Sequence, residues 1–410
     1  MVKYYTGNNT GDVPGNLPQP YYWWEAGAMF GTLIDYWYYT GDDSYNAITS
    51  QAMLFQTGPN ADFMPPNQTK TEGNDDQSFW GLAAMSAAEA RFPNPPPDKP
   101  QWLALAQAVF NTQAVRWDAS TCGGGLRWQI FAFNNGYNYK NTISNGCFFN
   151  MAARLGRYTG NATYLEWANR MWTWVGDVGL MSPDYHFYDG TDDTLNCTNV
   201  NHIQWSYNAG VFLYGAATMY NQTTGAEQEK WKNAVMGIVN QTDVFFQDGG
   251  IMKEVACEDN GKCDVDQRSF KAYLARWMAA TIKVAPFTKE VIMGYLSASA
   301  VAAAATCTGG DDGNACGLRW TKKVNDGSLG VGEQMSALEI IQGTLINEVD
   351  GPVTNKSGGI SKGDPNAGSK SSDTKINYNA ITGGDRAGAG ILTTLILIFL
   401  FGGAYWMAMK

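Results

Sequence analysis

The run Tyr39-Thr40-Gly41-Asp42-Asp43-Ser44-Tyr45 returns, little changed, as Tyr158-Thr159-Gly160-Asn161-Ala162-Thr163-Tyr164. In each copy one helix ends at the first tyrosine, a tight glycine turn follows, and an aromatic lies inside the next helix. Glycine suits such a turn because it takes the left-handed conformation that closes a helix without a Cβ penalty. A looser version runs from Tyr220 through Gly225 to Trp231. The repeating unit is a helical hairpin.

Outward from these turns, residues 1–350 read as helices separated by Gly/Pro/Asn loops, with little strand-like alternation. Expected helices span 23–39, 43–57, 75–91, 100–117, 142–158, 162–175, 203–220, 226–239, 264–284, 288–306 and 327–347. Met1-Val2-Lys3-Tyr4 lacks the apolar run of a secretory signal, so native sequence is expected ahead of it, with room for a twelfth helix. Six hairpins closed in a ring make an all-α (α/α)6 barrel, a six-hairpin toroid. An open helical solenoid is the alternative architecture.

The chain has 410 residues and a net charge of −10. That charge argues against nucleic acid, whose phosphates call for basic patches. Only 16% of residues are charged, whereas 13% are aromatic. Such a balance suits a secreted protein facing carbohydrate, because aromatic faces stack on sugar rings; a large aromatic core is the competing use. The two histidines, His186 and His202, share no ligand spacing with cysteines. The acidic loops Asp192-Asp193 and Asp311-Asp312 lack EF-hand spacing. No metal and no cofactor is assigned.

Of seven cysteines, Cys257 and Cys263 bracket one polar turn, and Cys307 and Cys316 bracket another. Both pairs read as disulfides. Cys122, Cys147 and Cys197 leave one further bond and one thiol, in a pairing left open. Acceptor sequons stand at Asn8, Asn67, Asn161, Asn196, Asn221, Asn240 and Asn355, and support secretion. Residues 351–390, rich in Gly, Ser, Asp, Asn and Lys, are expected to form a disordered linker. Residues 391–410 are almost wholly apolar and follow small residues, the pattern of a GPI-attachment signal, with a retained membrane anchor as the alternative. Asn379 and Gly383 are candidate attachment residues.

Chemistry concentrates in Thr71-Glu72-Gly73-Asn74-Asp75-Asp76-Gln77-Ser78-Phe79-Trp80. Two adjacent carboxylates precede buried-looking sequence, where each charge raises the other's pKa. One protonated and one ionised carboxyl is the division of labour that glycoside cleavage needs. A capping role, with Asp75 at the N-cap and Asp76 in the first turn, is the structural alternative. Further polar-aromatic clusters at helix starts are 123–128 with its near twin 316–320, 141–146, 204–208, 247–250 and 266–271; they favour a shared sugar-binding cleft.

The stretches GNDDQSFWGLAAMSAAE (73–89), NTISNGCFF (141–149), WSYNAGVFLYGA (205–216) and DQRSFKAYLARW (266–277) together resemble glycoside hydrolase family 76, over roughly residues 20 to 345. The resemblance implies an α-1,6-mannanase on an (α/α)6 barrel, with a retaining mechanism. Carried onto this chain, it implies Asp75 as nucleophile and Asp76 as general acid/base. With the sequons and the C-terminal signal, the chain is similar to fungal GPI-anchored members, mannan endo-1,6-α-mannosidases. These imply a monomer outside the cell, held to the membrane by a GPI anchor. Its donor would be the α-1,6-linked mannose core of GPI anchors and its acceptor a cell-wall glucan. Trp24, Asn145, Trp205, Tyr207, Asp248, Asp266 and Lys271 are the other cleft candidates. Ala272 after Lys271, where bacterial members tend to have glycine, and Ala209, where they tend to have glutamine, depart from the pattern and leave bacterial specificity in doubt. A non-catalytic mannan-binding protein or a structural GPI-protein is the rival reading. A lyase or uronyl hydratase would want basic groups for uronates, and this acidic chain supplies few.

Overall fold

The computed structural model describes residues 1–369 and 383–409. It divides into a body, Met1–Lys370, and a C-terminal unit, Ser371–Lys410. The body is mostly helical: α1 (Trp23–Thr40), α2 (Asn46–Phe55), α3 (Asn74–Glu89), α4 (Trp102–Val115), α5 (Thr142–Thr159), α6 (Ala162–Asp177), α7 (Ser206–Gln222), α8 (Gly225–Gln241), α9 (Phe270–Val284), α10 (Lys289–Ala305) and α11 (Val331–Gln342). Each expected helix is present with its ends shifted by a few residues. The largest shift is at α9, which begins at Phe270 after a separate 3-10 turn over Gln267–Ser269. The strands are short. β1 (Tyr139–Asn141), β2 (Gly190–Asp192) and β3 (Val200–Asn201) pair antiparallel, as do β4 (Phe246–Gln247) and β5 (Ile251–Met252).

The repeated turns share their chemistry. Gly41 and Gly160 close α1 and α5 with φ of 70° and 73°, and their amides donate to Trp37 O and Gly156 O. Thr40 and Thr159 each donate through Oγ1 to the carbonyl four residues back, and accept from the amide two residues on. Asp42 and Asn161 then accept from the amides of Ser44 and Thr163, both at 3.0 Å, so each starts the next segment of the hairpin.

The odd-numbered helices pack in succession, α1 on α3, α3 on α5, α5 on α7, α7 on α9, α9 on α11, and α11 back on α1. α2, α4, α6, α8 and α10 each pack against the odd helix before them. The aromatic content goes largely into this body: Trp80, Trp102, Trp231, Trp277 and Trp320 are fully buried. Each such ring contributes roughly 1.5–3 kcal/mol or more through area removed from water. Cys257–Cys263 and Cys307–Cys316 are bonded as read from the sequence; the third disulfide is Cys122–Cys197, and Cys147 is a buried thiol on α5. All seven sequon asparagines are exposed.

The linker reading needs correction for residues 351–369, which are seated on the body. Val353 N donates to Glu89 O and Asn355 N to Tyr158 O, at 2.9 and 3.0 Å. Leu103 N donates to Ser361 Oγ, and Asp364 N to Gln107 Oε1. Glu89 and Tyr158 lie at the C-terminal ends of α3 and α5, where helix carbonyls lack intrahelical partners. A linker-like composition therefore binds as a strap because it satisfies orphan acceptors. Asn379 lies outside the described residues. Gly383 begins α12 (Gly383–Ala408), whose stretch Arg386–Gly403 is long and apolar enough to cross a membrane.

Candidate active site

A cleft of about 630 Å³ opens where the N-terminal ends of five odd-numbered helices meet. Tyr22, Trp23 and Trp24 come from the start of α1, Asp75 and Asp76 from α3 with Glu72 just before it, Ile143 from α5 with its N-cap Asn141, Tyr207 from α7 with its N-cap Trp205, and Phe270 from α9 with Asp266 and Gln267 from the turn ahead of it. Helix N-termini carry partial positive charge, so this assembly favours anions at its centre.

Asp75 and Asp76 occupy the first turn of α3, behind the N-cap Gly73. Asp76 Oδ2 accepts from Gly73 N at 2.6 Å, turning back onto the cap. Asp75 Oδ1 accepts from Asp76 N at 3.0 Å, and Oδ2 accepts from Asn141 Nδ2 at 2.9 Å. Gly73 is required by this packing, since a Cβ there would stand 2.4 Å from Asp75 Oδ1. The strand-like segment 127–130 fixes the turn from outside: Asn74 N donates to Trp128 O, and Asn74 Nδ2 to Arg127 O, both at 2.8 Å.

Burial pushes the Asp75 carboxyl well above the usual carboxylate range, and the charge of Asp76 adds to it; Asn141 and the Asp76 amide pull the other way. Burial also raises Asp76, to about 6, against the Gly73 amide and with a smaller push from Asp266. Two adjacent buried carboxyls titrate as a pair, and burial favours keeping a proton on this one. The capping alternative is partly realised, since Asp76 does cap α3, but Gly73 rather than Asp75 is the N-cap. Both carboxyls face the cleft as well.

Around the pair the lining is aromatic and polar. Tyr207 stacks on Phe270 with ring centroids 3.9 Å apart, and Trp24 packs on Phe79 at 4.7 Å. Asp189 accepts from Tyr139 OH, Trp205 Nε1 and Asn201 Nδ2; burial raises its carboxyl and these three donors oppose the rise. Glu72 is buried in the same wall, raised chiefly by desolvation and then by Asp76.

Trp24, Trp205, Tyr207 and Asp266 thus join the Asp pair in the cleft. Asn145, Asp248 and Lys271 do not, and their selection is corrected here. Asn145 is fully buried and tethers the 123–128 loop, accepting from Leu126 N and donating to Leu126 O. Lys271 is sealed under the loop at 316–320, paired with Glu258 at 2.7 Å, donating to Leu318 O, with Nζ 3.8 Å from the Trp320 ring centroid. Asp248 is exposed at the β4–β5 turn, with φ of 48°. Trp128 and Asn141, which the sequence offered only within the clusters 123–128 and 141–146, also line the cleft, as do Tyr139 and Asp189, which were not singled out. Asn141 carried a signal, being an Asn immediately before a helix. Asp189, a lone acid in a Tyr-Asp-Gly loop, carried none.

The glycosyl hydrolase family 76 model matches residues 1–356. The mannan endo-1,6-alpha-mannosidase DCW1 of Eremothecium gossypii is 50% identical over 400 residues, 97% of this chain and 88% of that protein. The mannan endo-1,6-alpha-mannosidase DFG5 of Saccharomyces cerevisiae is 49% identical over 411 residues, covering 99% and 89%. The crystal structure of Dfg5 from Chaetomium thermophilum in complex with glucosamine superposes with a TM-score of 0.87 at 49% identity, over 91% of this chain and 93% of that one. An α-1,6-mannanase of Salegentibacter sp. shares the fold at a TM-score of 0.65 and 19% identity, over 84% and 95%. With matches that span nearly the whole length, and with a paired carboxyl at the centre of its cleft, this chain belongs to glycosyl hydrolase family 76 and is a glycoside hydrolase.

Proposed function

We propose that the body is a retaining α-1,6-mannosidase or transglycosidase that cleaves within the mannose core of GPI anchors and joins the released glycan to cell-wall glucan. The observation that carries this reading is the buried Asp75–Asp76 pair in the first turn of α3, both residues lining an aromatic cleft. The relatives' names, mannan endo-1,6-alpha-mannosidase, support the linkage. In its ionised form, which the Asn141 amide stabilises against the burial that raises its pKa, Asp75 attacks the anomeric carbon and forms a glycosyl-enzyme. Asp76 gives its proton to the departing oxygen, then takes one from the incoming acceptor hydroxyl. The closed packing order of the odd helices, with even helices outside, supports an (α/α)6 toroid for the body. The length and apolarity of α12 support a GPI-attachment signal, which would leave a monomeric body on the outer face of the plasma membrane or in the wall.

The deciding experiment is turnover of α-1,6-mannotetraose by Asp75→Asn, with product anomers followed by NMR. Wild-type protein should release product with retained configuration, and the variant should bind the tetraose without turning it over. Undiminished turnover by the variant, or an inverted product, sinks the mechanism.

A further inference from the structure

A second groove, of about 620 Å³, lies beside the reaction cleft and shares Trp128, Tyr139 and Asp189 with it. Its far side is built from the loop joining α4 to β1, through Ala132, Asn134, Asn135, Tyr137 and Asn138, and from Asn201 on β3. Trp128 is the partition. Its amide donates to Tyr139 O at 2.7 Å, its carbonyl accepts from Asn74 N, and its ring packs so closely on Gly136 that a Cβ there would stand 2.3 Å from it. The indole is therefore held rigidly, yet is 37% exposed.

The lining has the chemistry of neutral hydroxyl recognition. Asn134 and Asn201 are spent on the protein: Asn134 Nδ2 donates to Lys70 O and Gln129 Oε1, and Asn201 Nδ2 donates to Asp189 Oδ2. Asn135 and Asn138 are exposed, and neither side chain forms a hydrogen bond among those of the described residues. An amide offers both donors and an acceptor, which matches a hydroxyl that does both. The groove's two acidic residues are also engaged: Asp189 through its three donors, and Asp192 in capping a 3-10 turn through Thr194 N. No lysine or arginine lines the groove, which disfavours an anionic ligand. At the rim, Phe133 is exposed and stacked on Phe131 at 5.4 Å, extending the apolar edge.

We infer that this groove is a second glycan subsite, which takes a neutral oligosaccharide arm running on from the reaction cleft past Trp128. The inference deepens the proposed function and rests on it for the direction of the glycan, not for the binding itself. Two sources share this chemistry, the extended α-1,6-mannoside donor and a β-1,3-glucan acceptor.

The test measures binding by titration calorimetry on the full chain carrying Asp75→Asn, with and without the added pair Asn135→Ala and Asn138→Ala. The probes are α-1,6-mannotetraose and β-1,3-glucotetraose. Because neither amide bonds to the protein, the pair should leave the melting temperature unchanged. Affinity for at least one probe should fall roughly tenfold, the worth of two hydrogen bonds to hydroxyls. Loss confined to the mannoside assigns the groove to the donor arm; loss confined to the glucoside assigns it to the acceptor; either supports the inference. Unchanged affinity for both probes, or no binding of either by the parent, overturns it. Binding lost in the pair variant of a chain that proves unable to turn over mannosides would sink the proposed function and leave the groove standing.

Discussion

Asn141 Nδ2 donates to Asp75 Oδ2 at 2.9 Å, while Asn141 Oδ1 accepts from Ser144 N at 3.3 Å. One side chain therefore caps α5 and holds the carboxylate at the start of α3. A donor to the ionised form favours ionisation. Asn141→Ala should raise the pH at which Asp75 becomes charged, so the acid limb of the kcat/KM profile moves to higher pH. A hydrogen bond to a charged group is worth about 1.5–3 kcal/mol, or about 10- to 100-fold in rate. Asn141→Asp would keep the cap but set a third negative charge against the pair, and should be slower still. Rates measured from pH 4 to 8 check both; an unmoved acid limb in Asn141→Ala removes Asn141 from the mechanism.

Asp76 offers a separation of chemistry from stability. As the proton donor it matters most when the leaving group is poor. Asp76→Asn should cut turnover of an unactivated mannoside by orders of magnitude, and of an aryl mannoside with a good leaving group much less in the first step. Equal losses would argue against the acid role.

The stability profile follows from the direction of these shifts. Asp76 is raised to about 6, and burial raises Glu25 and Glu254 to about 8, in each case above the unfolded value. Between about pH 4 and 8 the folded state thus holds protons that the unfolded chain has released, and stability falls as pH rises. Asp118 works the other way: its carboxyl is held low by Ser120, Thr121 and Lys140, and its contribution is lost only on going below about pH 4. The melting temperature should peak near pH 4–5 and decline toward pH 9. Asp76→Asn should flatten the decline around pH 6, by on the order of 2 kcal/mol at neutral pH. A maximum above pH 7 would contradict this account.

Gly73 has φ of −89°, a backbone that alanine adopts freely. Its demand comes from Asp75 Oδ1, 2.4 Å from where a Cβ would sit. Gly73→Ala should therefore displace the nucleophile more than it unfolds the protein. A fall in kcat of about 10- to 100-fold, with a melting temperature within a few degrees of wild type, is expected. A large loss of stability with normal specific activity would show that the contact relaxes elsewhere.

Cys122–Cys197 joins residues 75 apart in sequence, whereas Cys257 and Cys263 are 6 apart. Loop-closure entropy makes the first bond the larger contributor, about 2–4 kcal/mol. It also anchors the loop in which Cys122 O accepts from Trp174 Nε1. Paired serine substitutions, compared by denaturant melts, should rank the bonds in that order.

The helices were legible because apolar segments of helical length alternate with glycine, proline and asparagine, and because two turns repeat the same threonine–glycine–Asx arrangement. The Asp pair was legible because it precedes buried-looking sequence with no lysine or arginine between Lys70 and Arg91. Lys271 and Asp248 misled for a common reason. A polar residue at a helix start or in a Gly-rich loop looks like part of a cleft, but Lys271 is enclosed by Glu258 and Trp320, and Asp248 is exposed at a hairpin turn outside the cleft. Asp189 could not be picked from the chain, since its meaning comes from Tyr139, 50 residues before it, and from Asn201 and Trp205 after it, which the fold brings together. The seated strap was hidden by composition, which reports on side chains while the bonds at Val353 and Asn355 are made by the backbone.

That strap sets where a soluble catalytic fragment should be cut. Ending the polypeptide at residue 350, where the low-complexity composition begins, would strip the partners from Glu89 O and Tyr158 O and from the Leu103 amide. Ending it at 369 keeps them. The longer fragment should express at higher yield, melt several degrees higher and resist proteolysis up to its terminus, whereas the shorter one should aggregate. Equal behaviour of the two would mean that water replaces the strap at no cost.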